Sequence, residues 1–208
     1  MSETPLRLTY FPGRGLVEPA RLLLHYAEQK FEDLRLTHEQ FEGIKETTPG
    51  HQLPLLEIDG RKLSQSGAIL RFLAKRFNLN GKDDFEAARA DEIWSFFYDR
   101  DRENYQYAVY IVGLADGDKD KLHKEVFMPS AKKSLEFYKP LINNSKRGFI
   151  LDSGICYADF VVAEHLHTIF SLDSALKTKN PDLALYVENI HSLPQIVKYV
   201  KERPESKV

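Results

Sequence analysis

Tyr10 closes a short alternating run that starts at Leu6, and Phe11-Pro12-Gly13-Arg14-Gly15 follows at once. A phenolic O–H at a strand end can donate a hydrogen bond to an anion and lower the pKa of the group it faces, with no covalent intermediate. Read on propensity alone, the same residue is a half-buried strand tyrosine. Gln65 and Ser66 stand where a strand gives way to a helix, and the free N–H groups and dipole of a helix start favour an anion there. Ser66 read alone is an ordinary N-cap. Lys45 and Gln52 flank the Pro49-Gly50 break, a point charge on one side and a neutral amide on the other; both read equally as solvated surface residues. Asp99 sits among Asp91, Glu92, Arg100, Asp101 and Arg102 in a charge-rich stretch. Arg14 either supports Tyr10 electrostatically or pairs with Glu18 four residues on.

Other reactive residue types form weaker patterns. His165 and His167 would point to nearly opposite faces of a helix, unlike the i, i+4 pair of a zinc-binding helix, so no metal site is expected. Cys156 is the one cysteine, which excludes an internal disulfide, a CxxC redox pair and a multi-cysteine zinc site. Tyr105, Tyr107 and Tyr110 cluster along one helical stretch and read first as packing residues.

The elements that must position these residues change character along the chain. Leu6 to Tyr10 reads as a strand, and Leu16, Ala20, Leu23, Leu24 and Ala27 recur at helical spacing after the glycine-rich loop. Pro19 is tolerable only in a first turn, so that helix should begin near Gly15. A strand over Phe31 to Leu36 and a short helix over His38 to Glu46 follow. Leu55 to Ile58, Asp59-Gly60 and Arg61 to Ser64 spell a hairpin, because both central residues of a type I′ turn need positive φ. A helix capped by Ser66 then carries Ile69, Leu70, Leu73, Ala74 and Phe77 on its apolar face. The order is βαβαββα, an α/β half. Past a polar linker at 79–84 the strand signals fade, and helical patterns run over 85–112, 119–142, 157–172, 181–191 and 194–202. The expected division is a first domain over 1–78 and an all-helical domain over 85–208.

Bulk properties narrow the class. Of 208 residues, 42% are hydrophobic and 29% charged, enough apolar material for a substantial core. A net charge of -2 offers no footprint for nucleic acid or an anionic membrane. No run approaches a membrane span of about 20 apolar residues, and Met1 to Pro5 does not open a leader, so a cytoplasmic setting is expected.

Several fragments, in order, are similar to one family. Leu8-Thr9-Tyr10-Phe11-Pro12-Gly13-Arg14-Gly15 with Glu18 and Arg21, then Lys45, then Gln52 through Gly60, then Gln65-Ser66-Gly67-Ala68-Ile69 resemble sigma-class glutathione transferases, nematode members above all. The resemblance covers essentially the whole chain. It implies a thioredoxin-like first domain, a helical second domain that supplies the electrophile pocket and a dimer interface, and glutathione as co-substrate with no metal. It also implies roles. Tyr10 would hydrogen-bond the glutathione thiolate. Gln65 and Ser66 would hold the γ-glutamyl carboxylate. Leu53, before a cis Pro54, would lend backbone groups to the cysteinyl part, and Lys45 and Gln52 would face the glycyl carboxylate. Asp99 would reach across a homodimer to the partner's glutathione.

Two positions depart from the family pattern. Sigma members commonly carry an indole N–H four residues before Lys45, but this chain has Phe41, so weaker glutathione binding is expected. The helix-start stretch Gly154-Ile155-Cys156-Tyr157-Ala158-Asp159 places a thiol where the family has a hydroxyl cap, at an expected cost of roughly 0.5–2 kcal/mol unless Asp159 compensates. Phe11, Arg14, Tyr105 and Tyr107 are the candidates for gripping an apolar electrophile. The activity implied is conjugation of glutathione to apolar electrophiles in detoxification, with reduction of organic peroxides by the same thiolate. Prostaglandin D synthesis and binding of haem or other hydrophobic ligands are the alternatives.

Overall fold

The computed structural model describes residues 6–208, and the expectation about a leader at residues 1–5 lies outside the described residues. The chain divides into two compact units: residues up to Leu79 together with Ser192–Ser206, and Asn80–His191 with Lys207–Val208.

The first unit is built on a four-stranded sheet of β1 (Leu6–Tyr10), β2 (Phe31–Arg35), β3 (Leu55–Ile58) and β4 (Arg61–Ser64) in the order β2-β1-β3-β4. β1 runs parallel to β2, and β3 is antiparallel to both β1 and β4. The β1 to β2 crossover is α1 (Glu18–Tyr26), entered through a 3-10 turn over Gly15–Val17, with Pro19 in its first turn as its missing N–H requires. α2 (His38–Ile44) opens with Thr37 and Gln40 in a reciprocal capping box. The Asp59-Gly60 turn has φ of 51° and 71°, as its hairpin demands. α3 (Ser66–Arg76) lays Ile69, Leu70, Leu73 and Ala74 against α1 and β3. Leu8, Leu22, Leu23, Leu24 and Leu56 are fully buried. Each such side chain contributes about 1.5–3 kcal/mol.

The second unit is helical: α4 (Asp84–Ile111), α5 (Lys119–Leu122), a π-helical stretch over His123–Phe127, α6 (Met128–Asn143), α7 (Tyr157–Leu172), α8 (Ser174–Lys179) and α9 (Pro181–His191). The Asp83 side chain caps α4 by accepting the Glu86 N–H at 2.9 Å. α7 is buried on nearly every face and packs against α4 and α9. At its start, Asp159 accepts hydrogen bonds from the N–H groups of Cys156 (2.8 Å) and Ile150 (2.9 Å) and from the Tyr186 hydroxyl (2.7 Å). Cys156 and Asp159 thus form a reciprocal capping box, to which the Asp159 carboxylate adds its further partners. The thiol itself is buried, which pushes its pKa up. His165 is a core histidine whose Nδ1 meets the Tyr138 hydroxyl at 2.9 Å.

The structure corrects several local expectations. Ser66 is the first residue of α3, not its cap; Gln65 occupies the cap with φ of 72° and makes no side-chain cap bond. The single helix expected over 119–142 is broken by the π stretch. Pro129, just beyond it, has no N–H for a continuous α ladder. α8 went unexpected because six residues cannot display a helical period. α10 (Val197–Glu202) starts later than expected. Residues 192–206 cluster with the first unit. Among the described residues, no helix is long and apolar enough to cross a membrane.

Candidate active site

Sheet register brings Tyr10, Pro54 and Gln65 to one end. Thr9 pairs with Leu55, and Leu55 pairs with Ser64. The next residues outward are Tyr10, Pro54 and Gln65, so three chain segments leave the same end of the sheet side by side. On the other flank Tyr10 pairs with Arg35, and the Tyr10 carbonyl accepts the Leu36 N–H at 2.9 Å. The region beyond the carboxyl ends of parallel strands is where α/β sheets bind ligands.

Tyr10 is half-buried, and its hydroxyl stands over the loop that follows it. A Cβ placed on Gly15 would lie 2.8 Å from that oxygen, and Gly15 has φ of 42°. Glycine is thus required twice, for the backbone conformation and for room. The Phe11 ring lies between Tyr10, 5.5 Å away, and Phe41, met edge-on at 5.6 Å. Phe41, in α2, is buried. Where the family has an N–H donor, this chain has a packing residue. Lys45 pairs with Glu42 at 2.9 Å and lies 6.0 Å from the Phe41 ring centre. Any carboxylate that Lys45 meets must compete with Glu42.

The Leu53-Pro54 peptide is cis, as the resemblance implies. Gln65 holds a positive φ between β4 and α3 and makes no side-chain cap bond, and the buried Ser66 opens the helix. Backbone strain of this kind in a non-glycine residue clusters at ligand sites.

Charged residues beneath the Tyr10 loop went unanticipated as a group. Arg21 is fully buried and reaches Glu18 at 3.0 Å, Asp33 at 3.0 Å, and the carbonyls of Gly13 at 2.8 Å and Phe11 at 3.3 Å. Arg35 reaches Asp33 at 2.9 Å, the Pro12 carbonyl at 2.9 Å and the Tyr199 hydroxyl at 3.2 Å. Glu18 also accepts the Tyr199 hydroxyl at 2.8 Å and Arg203 at 2.9 Å. Arg14, buried, donates to the Ser206 carbonyl at 3.3 Å. The signal available in the sequence was an arginine and a glutamate inside an otherwise apolar helix.

In the second unit Asp99 is exposed on α4. Tyr105 is 64% exposed, but Tyr107 is 1% exposed and packs on Phe127 and His123. The expectation that Tyr107 grips an electrophile is corrected on that ground: its ring is part of the unit's own core. Asp101, two residues from Asp99, has its pKa pushed up to about 6 by burial. Among the described residues no cluster of three His, Cys, Asp or Glu side chains could hold a metal ion.

Residues 6–75 match the family model for the N-terminal domain of glutathione S-transferase, and residues 93–203 match that for its C-terminal domain. This chain belongs to the glutathione S-transferase family. It is a transferase that uses glutathione as co-substrate, and its fold is the family's thioredoxin-like domain followed by a helical domain. It is 39% identical to Probable glutathione S-transferase 8 of Caenorhabditis elegans over 96% of this chain and 97% of that protein. The glutathione S-transferase structure from Ascaris lumbricoides superposes with a TM-score of 0.90 at 38% identity, over 98% of this chain and 100% of that one. A Nu-class transferase of Haemonchus contortus follows at 0.86 and 36%, with 98% of both chains covered. A prostaglandin synthase D of Nilaparvata lugens gives 0.84 and 28%, over 97% of this transferase and 100% of that chain.

Proposed function

We propose that this transferase conjugates glutathione to apolar electrophiles, with Tyr10 as the catalytic residue. The observation that carries the reading is the convergence of Tyr10, cis-Pro54 and Gln65-Ser66 at one sheet end. An unperturbed thiol has pKa ~8.5 and is mostly protonated at neutral pH, whereas the thiolate is the nucleophile. The Tyr10 O–H donates to the sulfur and favours its charged form. The sulfur then attacks the electrophilic carbon; an S–C bond forms, and on an aryl halide the carbon–halogen bond breaks and halide leaves. Leu53 backbone groups align the cysteinyl part, Gln65 and Ser66 take the γ-glutamyl carboxylate, and Lys45 with Gln52 faces the glycyl carboxylate. Phe41 contributes packing and no donor, so glutathione binds more weakly than with an indole there. Phe11, Arg14 and Tyr105 contribute to the electrophile pocket. The working unit is a cytoplasmic homodimer in which Asp99 serves the partner's site, with the first domain ending near residue 78.

The thiolate also suits peroxide reduction, and glutathione-dependent prostaglandin isomerisation is the second reading, favoured by the likeness to the Nilaparvata lugens synthase. Sigma class is the proposed subclass, with the Nu-class likeness as its competitor. The test is the rate of glutathione conjugation to an aryl halide. Wild type should exceed the solution reaction clearly, and Tyr10→Phe should lose roughly ten- to a hundredfold, as expected for one hydrogen bond to a charged group of about 1.5–3 kcal/mol. An undiminished Tyr10→Phe rate would refute the role given to Tyr10.

A further inference from the structure

The loop from Phe11 to Gly13 exposes three successive carbonyls just after Tyr10, and arginine takes all three. Arg21 donates to the oxygens of Phe11 and Gly13, and Arg35 donates to that of Pro12. Both guanidinium groups are anchored on one carboxylate, Asp33, with Arg21 on one oxygen and Arg35 on the other. The far side of the cluster is closed by α10 from the C-terminal segment. The Tyr199 hydroxyl donates to Glu18 at 2.8 Å and accepts from Arg35 at 3.2 Å, and Arg203 adds a second bond to Glu18 at 2.9 Å. A single oxygen can do both only while it keeps its proton, and burial with the nearby Glu18 charge pushes the Tyr199 pKa up. His25 stacks on the Tyr199 ring at 4.1 Å, and burial lowers its pKa.

We infer that Arg35 and Tyr199 are positioning residues for the transfer reaction: they clamp the 11–13 loop and thereby hold the Tyr10 hydroxyl where the glutathione sulfur lies. The inference rests on the proposed role of Tyr10. Arg21 and Glu18 are too deeply buried to remove cleanly, since a lone buried charge would remain. Arg35 keeps 19% of its side chain exposed, and Tyr199→Phe deletes one atom. A hydroxyl held by a clamped loop meets the sulfur at one distance, whereas a loosened loop samples many, and the hydrogen bond weakens steeply with geometry.

The experiment reads the thiolate absorbance of enzyme-bound glutathione at pH 7 and steady-state conjugation for Arg35→Gln, Arg35→Lys, Tyr199→Phe, Tyr10→Phe and Arg7→Gln. Arg35→Gln is expected to lower the thiolate fraction and kcat together by about tenfold, one pKa unit, with the KM for glutathione within about twofold. Tyr199→Phe should give a smaller fall in the same direction. Arg35→Lys keeps the charge but loses the planar fork that spans three partners, and should recover less than half of the loss. Arg7→Gln breaks only surface pairs, with Glu32 on β2 and Glu57 on β3, and should change neither reading. Wild-type thiolate in both Arg35→Gln and Tyr199→Phe, with loss in Tyr10→Phe, overturns the clamp alone. Wild-type thiolate in Tyr10→Phe removes the reading of Tyr10, and the clamp with it. If Arg35→Gln does not fold, the single-atom change at Tyr199 decides.

Discussion

Gly15 governs Tyr10 as much as any polar contact does. Its φ of 42° suits glycine, and its missing Cβ is the space next to the Tyr10 hydroxyl. Gly15→Ala should cost about 1–2 kcal/mol of stability for a left-handed alanine and should displace the hydroxyl. Thermal unfolding beside conjugation kinetics checks this, with a kcat loss larger than the stability change explains. Little of this was open to a reading of residue types: Tyr10 alone reads as a strand tyrosine, and only the residues after it give it a role. Phe41 shows the opposite case. Its departure from the family pattern was plain in the sequence, and the structure supplies the reason it is tolerated, an edge-on contact with Phe11 in a buried cluster. Arg35 and Tyr199, 164 residues apart, could not be paired from sequence because neither lies in a recognisable motif.

At the scale of elements, α7 concentrates the second unit's buried polar groups. Asp159→Ala would strand two N–H groups and the Tyr186 hydroxyl and should cost on the order of 3–5 kcal/mol in chemical denaturation. The capping box there was legible from the family resemblance, including its unusual cysteine; the added bonds from Ile150 and Tyr186 were not, since they come from outside the helix. Burial drives the His165 pKa down to about 3, against about 6.5 for an unfolded chain. Between those values the unfolded state binds the extra proton, so His165 makes stability rise with pH from about 3 to 6.5 and fall on acidification. Asp159, pushed up by burial, opposes that slope near the carboxylate range. His165→Gln keeps a partner for Tyr138 but cannot titrate. Between pH 6.5 and 4.5 it should lose about 2–3 kcal/mol less stability than wild type, at 1.36 kcal/mol per pH unit for one proton. Equal losses would show that His165 is not held neutral.

Across the whole molecule, the βαβαββα order and the all-helical remainder were readable because strand and helix periods differ and the hairpin turn is specific. The packing of residues 192–206 with the first unit was not, because a short terminal helix carries no signal of where it docks. A homodimer is the proposed assembly, and sedimentation velocity at micromolar concentration should give twice the 24.0 kDa chain mass. A stable monomer would remove Asp99 from the site without touching Tyr10. The central claim concerns Tyr10 and is tested most directly by following the thiolate absorbance of bound glutathione against pH in wild type and Tyr10→Phe. The wild-type midpoint should lie at least about one unit below the ~8.5 of a free thiol and return close to that value in Tyr10→Phe; coincident midpoints in the two proteins would contradict the role of Tyr10.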